Sequence, residues 1–285
     1  MLKFFKNQQP ITLILLVIIL LMTRVPFLFV QNFKYSNTYL NNEIYPTSIS
    51  LLLGMILIFV QAVWLNSIFS NSHLLSEKSV IPALVWILIT GINPSFMVIG
   101  FPLISATIIL RMMQIIFNHH SNTIPIQQCF QLGILLGILI LMQPVFILTI
   151  PFFLVLIYNM NTHGIREYLI FLISIALTFL WAWSFVYLTD QSLHWIERFK
   201  NHFGIAFFPM NWIEGAKWIV ISCYVLGGFG GLFALMSSAS AKRKKNVRSL
   251  IILVIALGIS CLLSNHWDIS NLLIWLTPAS ILITI

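Results

Sequence analysis

From Ile11 to Val30 the chain carries a single charge, Arg24, and the same poverty of charge recurs over 46–69, 167–189, 215–237 and 249–264. Runs of this length decide the solvent. A helix crossing the hydrocarbon core of a bilayer needs about 20 mostly apolar residues. Of the 285 residues, 59% are hydrophobic and 8% charged, whereas soluble domains carry roughly 25% charged residues. A water-soluble enzyme, a disordered chain and a DNA-binding domain are excluded together, and no nucleic-acid partner is expected. Cys129, Cys223 and Cys261 all lie within apolar runs, which fits small packing residues better than a disulfide framework or a metal site.

Two further apolar stretches are too long for one helix. Val80 to Phe117 is interrupted by Gly91-Ile92-Asn93-Pro94, and Ile126 to Tyr158 by Gln143-Pro144. Proline and the residue before it both disfavour helix continuation, so each stretch is expected to form a hairpin of two short helices. A last run, Ile269 to Ile285, has no polar tail and is expected to stop inside the membrane or to be truncated. The expected fold is all-α: one integral membrane domain over 1–285, a polytopic helical bundle with about ten crossings, eight being the alternative.

Lys and Arg collect in cytoplasmic loops. With the N-terminus inside and ten crossings, Lys3, Lys6, Lys78, Arg111, Arg166, Lys242, Arg243, Lys244, Lys245 and Arg248 fall inside, ten of the fifteen cations. Glu43, Asp190, Glu197, Glu214 and Asp268, five of the seven acids, fall outside. Eight crossings move only Arg111 and the His119-His120 loop to the outside. Lys3 and Lys6 precede a run longer than the ~7 to 15 residues of a signal-peptide core, which reads as a retained first helix. The expected location is the inner membrane, multi-pass, with a cytoplasmic N-terminus. Residues 190–215 alternate charges with Trp195, Phe199, Phe203 and other aromatics, and are expected to form an amphipathic helix lying in the outer interface.

Ionisable groups within a bilayer are functional candidates by default. Arg24 sits near the outer end of the first helix. It either snorkels to the interface or directs its planar fork of donors at a phosphate. Glu43 is the sole acid in the first outer loop; it is either a solvated carboxylate or a general base or metal ligand. The cluster Lys242, Arg243, Lys244, Lys245 and Arg248 reads as a lipid-facing basic patch that anchors topology and meets anionic lipid. Gly133 with Gly137, and Gly227 with Gly231, have the small-xxx-small spacing that lets membrane helices approach closely. His119-His120 has no ligand at metal-binding spacing, and no cofactor is identified.

Two resemblances rest on these segments. Pro82 to Trp86, Asn93-Pro94-Ser95-Phe96, Phe130 to Gly133 with Gly137 and Pro144, and Arg166 to Leu169 resemble a family of bacterial inner-membrane proteins of about this size. That likeness spans most of the chain and implies location and topology, not an activity. The order of a first helix, an outer loop with an acid, a long second helix, a break at Asn93-Pro94-Ser95 and a Gly133-to-Pro144 helix is similar to the GT-C membrane glycosyltransferases that use polyprenyl-phosphate donors. Their loop acid is usually an Asp in a short acidic pair; here Glu43 stands alone.

Three classes of function follow. The first expectation is a structural or accessory membrane subunit, with other membrane subunits and lipids as partners. The second is a GT-C-like transferase acting on a polyprenyl-phosphate lipid at the outer face, built from Glu43, Arg24 and Asp190. There a carboxylate would deprotonate an acceptor hydroxyl or hold a divalent ion, and Arg24 would stabilise the departing phosphate. The third is a transporter, for which Asn93-Pro94 and Gln143-Pro144 supply broken helices but no charged coupling group.

Overall fold

The structure, a computed structural model, describes residues 10–28, 47–72, 79–92, 96, 99–117, 125–160, 164–189, 225, 227–230, 241–263 and 272–284. Among the described residues 93% are helical and no strand occurs. In chain order the elements are α1 (Pro10–Leu28), α2 (Thr47–Asn71), α3 (Ile81–Gly91), α4 (Phe101–Phe117), α5 (Ile126–Met142), a 3-10 helix (Pro144–Thr149), α6 (Ile150–Asn159), α7 (Ile165–Leu188), α8 (Ala241–Leu262) and α9 (Leu272–Thr284). Among the described residues three segments are long and apolar enough to cross a membrane: Ser50–Ser70, Ile165–Leu188 and Arg243–Leu262. The protein is membrane-embedded. At 1.5 Å per residue α3 and α6 reach only ~15 Å, half of a ~30 Å hydrocarbon core.

In these helices composition does not mark the inward face, because both faces are apolar; packing does. On α1 the buried residues are Thr12, Leu16, Leu20 and Arg24, a strict i, i+4 row, while Leu13, Ile14, Val17, Ile18, Leu21 and Met22 stay exposed. Arg24 is therefore the fourth member of the buried row, and its guanidinium turns into the protein. On α2 the row Leu51, Met55, Ile58, Ala62, Leu65 and Phe69 carries Gln61 inward with it.

The two long apolar stretches are divided as the sequence predicts, α3 ending at Gly91 and α5 at Met142; Asn93 and Pro94 lie outside the described residues. Val80 precedes α3, whose first turn holds Pro82, where the missing N–H costs nothing. Helix α5 ends because Gln143, ahead of Pro144, is forced extended (φ −142°, ψ 104°). The halves turn back at each break, but they do not pack along one another. Helices α3 and α4 share few direct contacts and pack instead against α2 and α9, while α5 and α6 meet mainly through the 3-10 helix between them.

Helix α5 pairs most extensively with α7, and Gly133 and Gly137 are why. A Cβ at Gly133 would overlap Ser174 Oγ, and one at Gly137 would lie 2.7 Å from Thr178 Cβ. Small residues thus face small residues at matching spacing. The second glycine pair does not repeat this among the described residues: a Cβ on Gly227 would meet nothing within 4 Å there, and Gly231 lies outside them.

Side-chain bonds fix the helix directions. Gln61 Nε2 donates to Leu103 O and Thr107 Oγ1, both at 2.8 Å, and Trp64 Nε1 donates to Gln114 Oε1 at 3.2 Å. Residue numbers rise together, so α2 and α4 run parallel; the register of Gly133 with Ser174 and Gly137 with Thr178 makes α5 and α7 parallel too. Asn246 Nδ2 of α8 donates to Ser72 O, just after α2, at 3.0 Å, and Lys245 Nζ to Met160 O, just after α6, at 3.2 Å. One end of the bundle therefore gathers the finishes of α2, α4 and α6 and the starts of α5, α7 and α8.

Candidate functional site

Of the three residues of the transferase reading, Arg24 is the one the structure describes. Glu43 and Asp190 lie outside the described residues, as do 190–215 and His119-His120, and Lys242 is described in its backbone only. The site is therefore built around Arg24, at the end of the bundle opposite Ser72.

Arg24 is fully buried. Its Nη2 donates to Thr90 Oγ1 at 2.6 Å and to Ile87 O at 3.4 Å, both on α3; its Nη1 donates to Thr23 Oγ1 at 3.1 Å and to Leu20 O at 3.4 Å. The two threonines act as relays. Thr90 Oγ1 passes its own proton to Trp86 O (2.9 Å) or Ile87 O (3.1 Å), and Thr23 Oγ1 to Ile19 O (2.9 Å) or Leu20 O (3.1 Å). Each hydroxyl thus presents a lone pair to the cation. Gly91 lies beside Thr23, and a Cβ there would meet Thr23 Cβ at 3.4 Å, an ordinary packing contact.

The last turn of α3 also carries the negative end of its helix dipole, which favours a cation there. Even so, every acceptor on Arg24 among the described residues is neutral, and Nε, one of the five N–H donors of a guanidinium, is buried with no partner among them. Taking a charge out of water costs several kcal/mol unless a counter-charge and further hydrogen bonds compensate. The single acid among the described residues, Glu167, lies in the first turn of α7, at the other end of the bundle. The guanidinium thus keeps an unused donor and has no counter-charge among the described residues. The interfacial alternative, an Arg reaching back to the membrane surface, does not describe its side chain.

The described residues hold no group of three His, Cys, Asp or Glu that could bind a metal ion. Cys129 and Cys261 are buried and belong to no disulfide, in keeping with packing roles; Cys223 lies outside the described residues. No family model, curated protein or solved structure matches the chain.

Attention to ionisable groups alone passes over the neutral polar residues that matter here. Thr23 and Thr90 build the Arg24 site, and Gln61, Trp64, Thr107 and Gln114 form a polar seam between α2 and α4, closed at its end by Arg111 Nη1 donating to Gln114 Oε1 at 2.7 Å. Gln61 and Gln114 are visible in the sequence as isolated amides within apolar runs, which is the signal that could have found them. The basic patch is likewise sorted by the fold. It forms the start of α8 rather than a loop, and within it Lys245 is engaged by Met160 O.

Proposed function

We propose that this is a multi-pass inner-membrane protein that holds the phosphate of a polyprenyl-phosphate lipid at its outer face, with Arg24 as the anion-binding group. The observation that carries this reading is the fully buried guanidinium with neutral acceptors on both Nη atoms and an unused Nε donor. A phosphate supplies both the charge and the paired oxygens that such a fork accepts. Glu43, in the segment that follows α1, is the carboxylate of the transferase reading: it would take the proton of an acceptor hydroxyl while Arg24 steadies the leaving phosphate. Asp190, directly after Thr189 at the end of α7, is the second acid on the same side.

Ten crossings with a cytoplasmic N-terminus accompany the proposal. The bundle end that gathers Ser72, Met160 and Lys245 is the end to which the charge rule assigns Lys78, Arg166 and Lys242 to Arg248, and the parallel courses of α2 with α4 and of α5 with α7 favour placing His119-His120 there as well. Arg24 then faces the outer side.

The test is binding of undecaprenyl phosphate to the full chain in detergent, with undecaprenol as the phosphate-free reference. The wild type is expected to prefer the phosphate, and Arg24→Met to lose that preference. Equal binding of phosphate and alcohol by the wild type would remove the reading.

An accessory-subunit role is favoured by a different observation. The second half of α7 exposes Leu180, Trp181, Phe185, Tyr187 and Leu188, each by more than 60%, leaving a span free to pack on another membrane helix. A photocrosslinker at Trp181 would give protein adducts on that reading and lipid adducts otherwise.

A further inference from the structure

The cations at the start of α8 do not share one face, and the fold separates them into two jobs. Asn246 and Ser249 are turned inward, to Ser72 O and to the Asn159 amide, whose Nδ2 donates to Ser249 Oγ at 3.1 Å. Lys245 joins them by capping the carbonyl end of α6 at Met160 O, where a cation complements the helix dipole. These contacts fix the rotation of α8. Arg248 is then exposed, with half-buried Lys244 one turn before it and Ile251, Ile252, Ile255, Ile259 and Leu262 following along the same side. Ile255 and Leu262 are among the exposed large hydrophobics.

Lys244 and Arg248 therefore head a stripe that lies on the outside of a membrane-crossing helix. Arg248 stands seven positions before Ile255, about 10 Å along the axis, which sets the two side chains at headgroup depth when the isoleucines meet acyl chains. Of the two, Lys244 lies in the first turn of α8, where the positive end of the helix dipole adds to its charge instead of offsetting it. Glu167, the single acid among the described residues, belongs to α7 and makes no ion pair with either among those residues. A partner that brings negative charge at that depth is an anionic phospholipid.

We propose that Lys244 and Arg248 form a seat for the phosphate of an anionic phospholipid at the start of α8, while Lys245 and Asn246 serve the junction with α6 and α2. Each cation near an anionic surface contributes on the order of 1 kcal/mol, so removing two corresponds to about a thirtyfold loss of affinity. The experiment measures the affinity of labelled phosphatidylglycerol, relative to labelled phosphatidylcholine, for the full chain in reconstituted bilayers, alongside thermal unfolding in phosphatidylcholine alone. The wild type should prefer phosphatidylglycerol. Lys244→Gln with Arg248→Gln should erase that preference by roughly thirtyfold and leave unfolding in phosphatidylcholine unchanged. Lys245→Gln should do the reverse, keeping the preference and lowering the unfolding temperature. The proposal is overturned if the wild type shows no preference, if the double variant keeps it, if the double variant unfolds earlier in phosphatidylcholine, or if Lys245→Gln abolishes it.

Discussion

Gly133 of α5 lies so close to Ser174 of α7 that a methyl group at 133 would overlap Ser174 Oγ and approach Phe171 O to 2.5 Å. Four residues on, the same contact repeats with Gly137 and Thr178. Between membrane helices no hydrophobic force draws apolar surfaces together, so close van der Waals approach has to supply the association. Gly133→Ala should therefore destabilise the chain by about 1–3 kcal/mol, the range for overpacking a filled interface. Gly227→Ala, with open space at its Cβ, should change stability by less than ~0.5 kcal/mol. Thermal unfolding in one detergent compares the two, and equal effects would mean that α5 and α7 are not held by this contact.

The inner-end junction makes a second prediction. Asn246 is buried and donates to Ser72 O, one of the carbonyls left over where α2 ends. Asn246→Leu strands that carbonyl in a buried place and should cost about 1–3 kcal/mol. Asn246→Asp should cost more, because it sets a carboxylate oxygen against the carbonyl. A urea titration followed by tryptophan fluorescence ranks them; Leu and Asp variants as stable as the wild type would break the link between α2 and α8.

These junctions show what was legible and what was not. The helical class, the membrane setting and the break at Gln143-Pro144 could be read directly, because each depends on residues adjacent in sequence: apolar length in one case, and the extended Gln143 before Pro144 in the other. The tight pairing of α5 with α7 was half legible, since Gly133 and Gly137 announce close approach but do not say to what. The partners of the broken halves were not legible. Helices α3 and α4 choose α2 and α9 over one another, and that choice is made by shape among uniformly apolar surfaces. For the same reason the burial of Arg24 could not be read. The residues one turn before and after it on α1, Leu20, Leu21, Phe27 and Leu28, are all apolar, so the sequence does not say whether position 24 shares the lipid side with Leu21 or the protein side with Leu20.

Topology can be tested without knowing the function. In a variant lacking Cys129, Cys223 and Cys261, a cysteine at Asn37 should react with an impermeant reagent added from outside, and cysteines at Ser121 and at Arg248 should not. Position 248 is the better inner probe because Arg248 is exposed whereas Asn246 is buried, so that silence at 246 would report burial alone. Labelling at Ser121 from outside would establish eight crossings, and labelling at Arg248 would invert the protein.

Arg24 gives the prediction in which stability and function part. If its role were to tie α1 to α3, removing it would weaken the fold, since hydrogen bonds to a charged group contribute about 1.5–3 kcal/mol. The geometry argues otherwise. Thr90 and Thr23 keep their bonds to Trp86 O and Ile19 O when the guanidinium is gone, so Arg24→Met leaves neither hydroxyl stranded. It also removes a buried charge and the orphan Nε. Replacing buried ionic groups by apolar side chains of similar size is often neutral or stabilising by about 1–4 kcal/mol. Arg24→Met is therefore expected to unfold at the same temperature as the wild type or higher, while losing its preference for undecaprenyl phosphate over undecaprenol. Arg24→Lys keeps the charge but not the paired donors, and should keep a weakened preference. If Arg24→Met instead unfolds markedly earlier and lipid discrimination is untouched, the guanidinium is a staple between α1 and α3, and the anion site has to be sought elsewhere in the bundle.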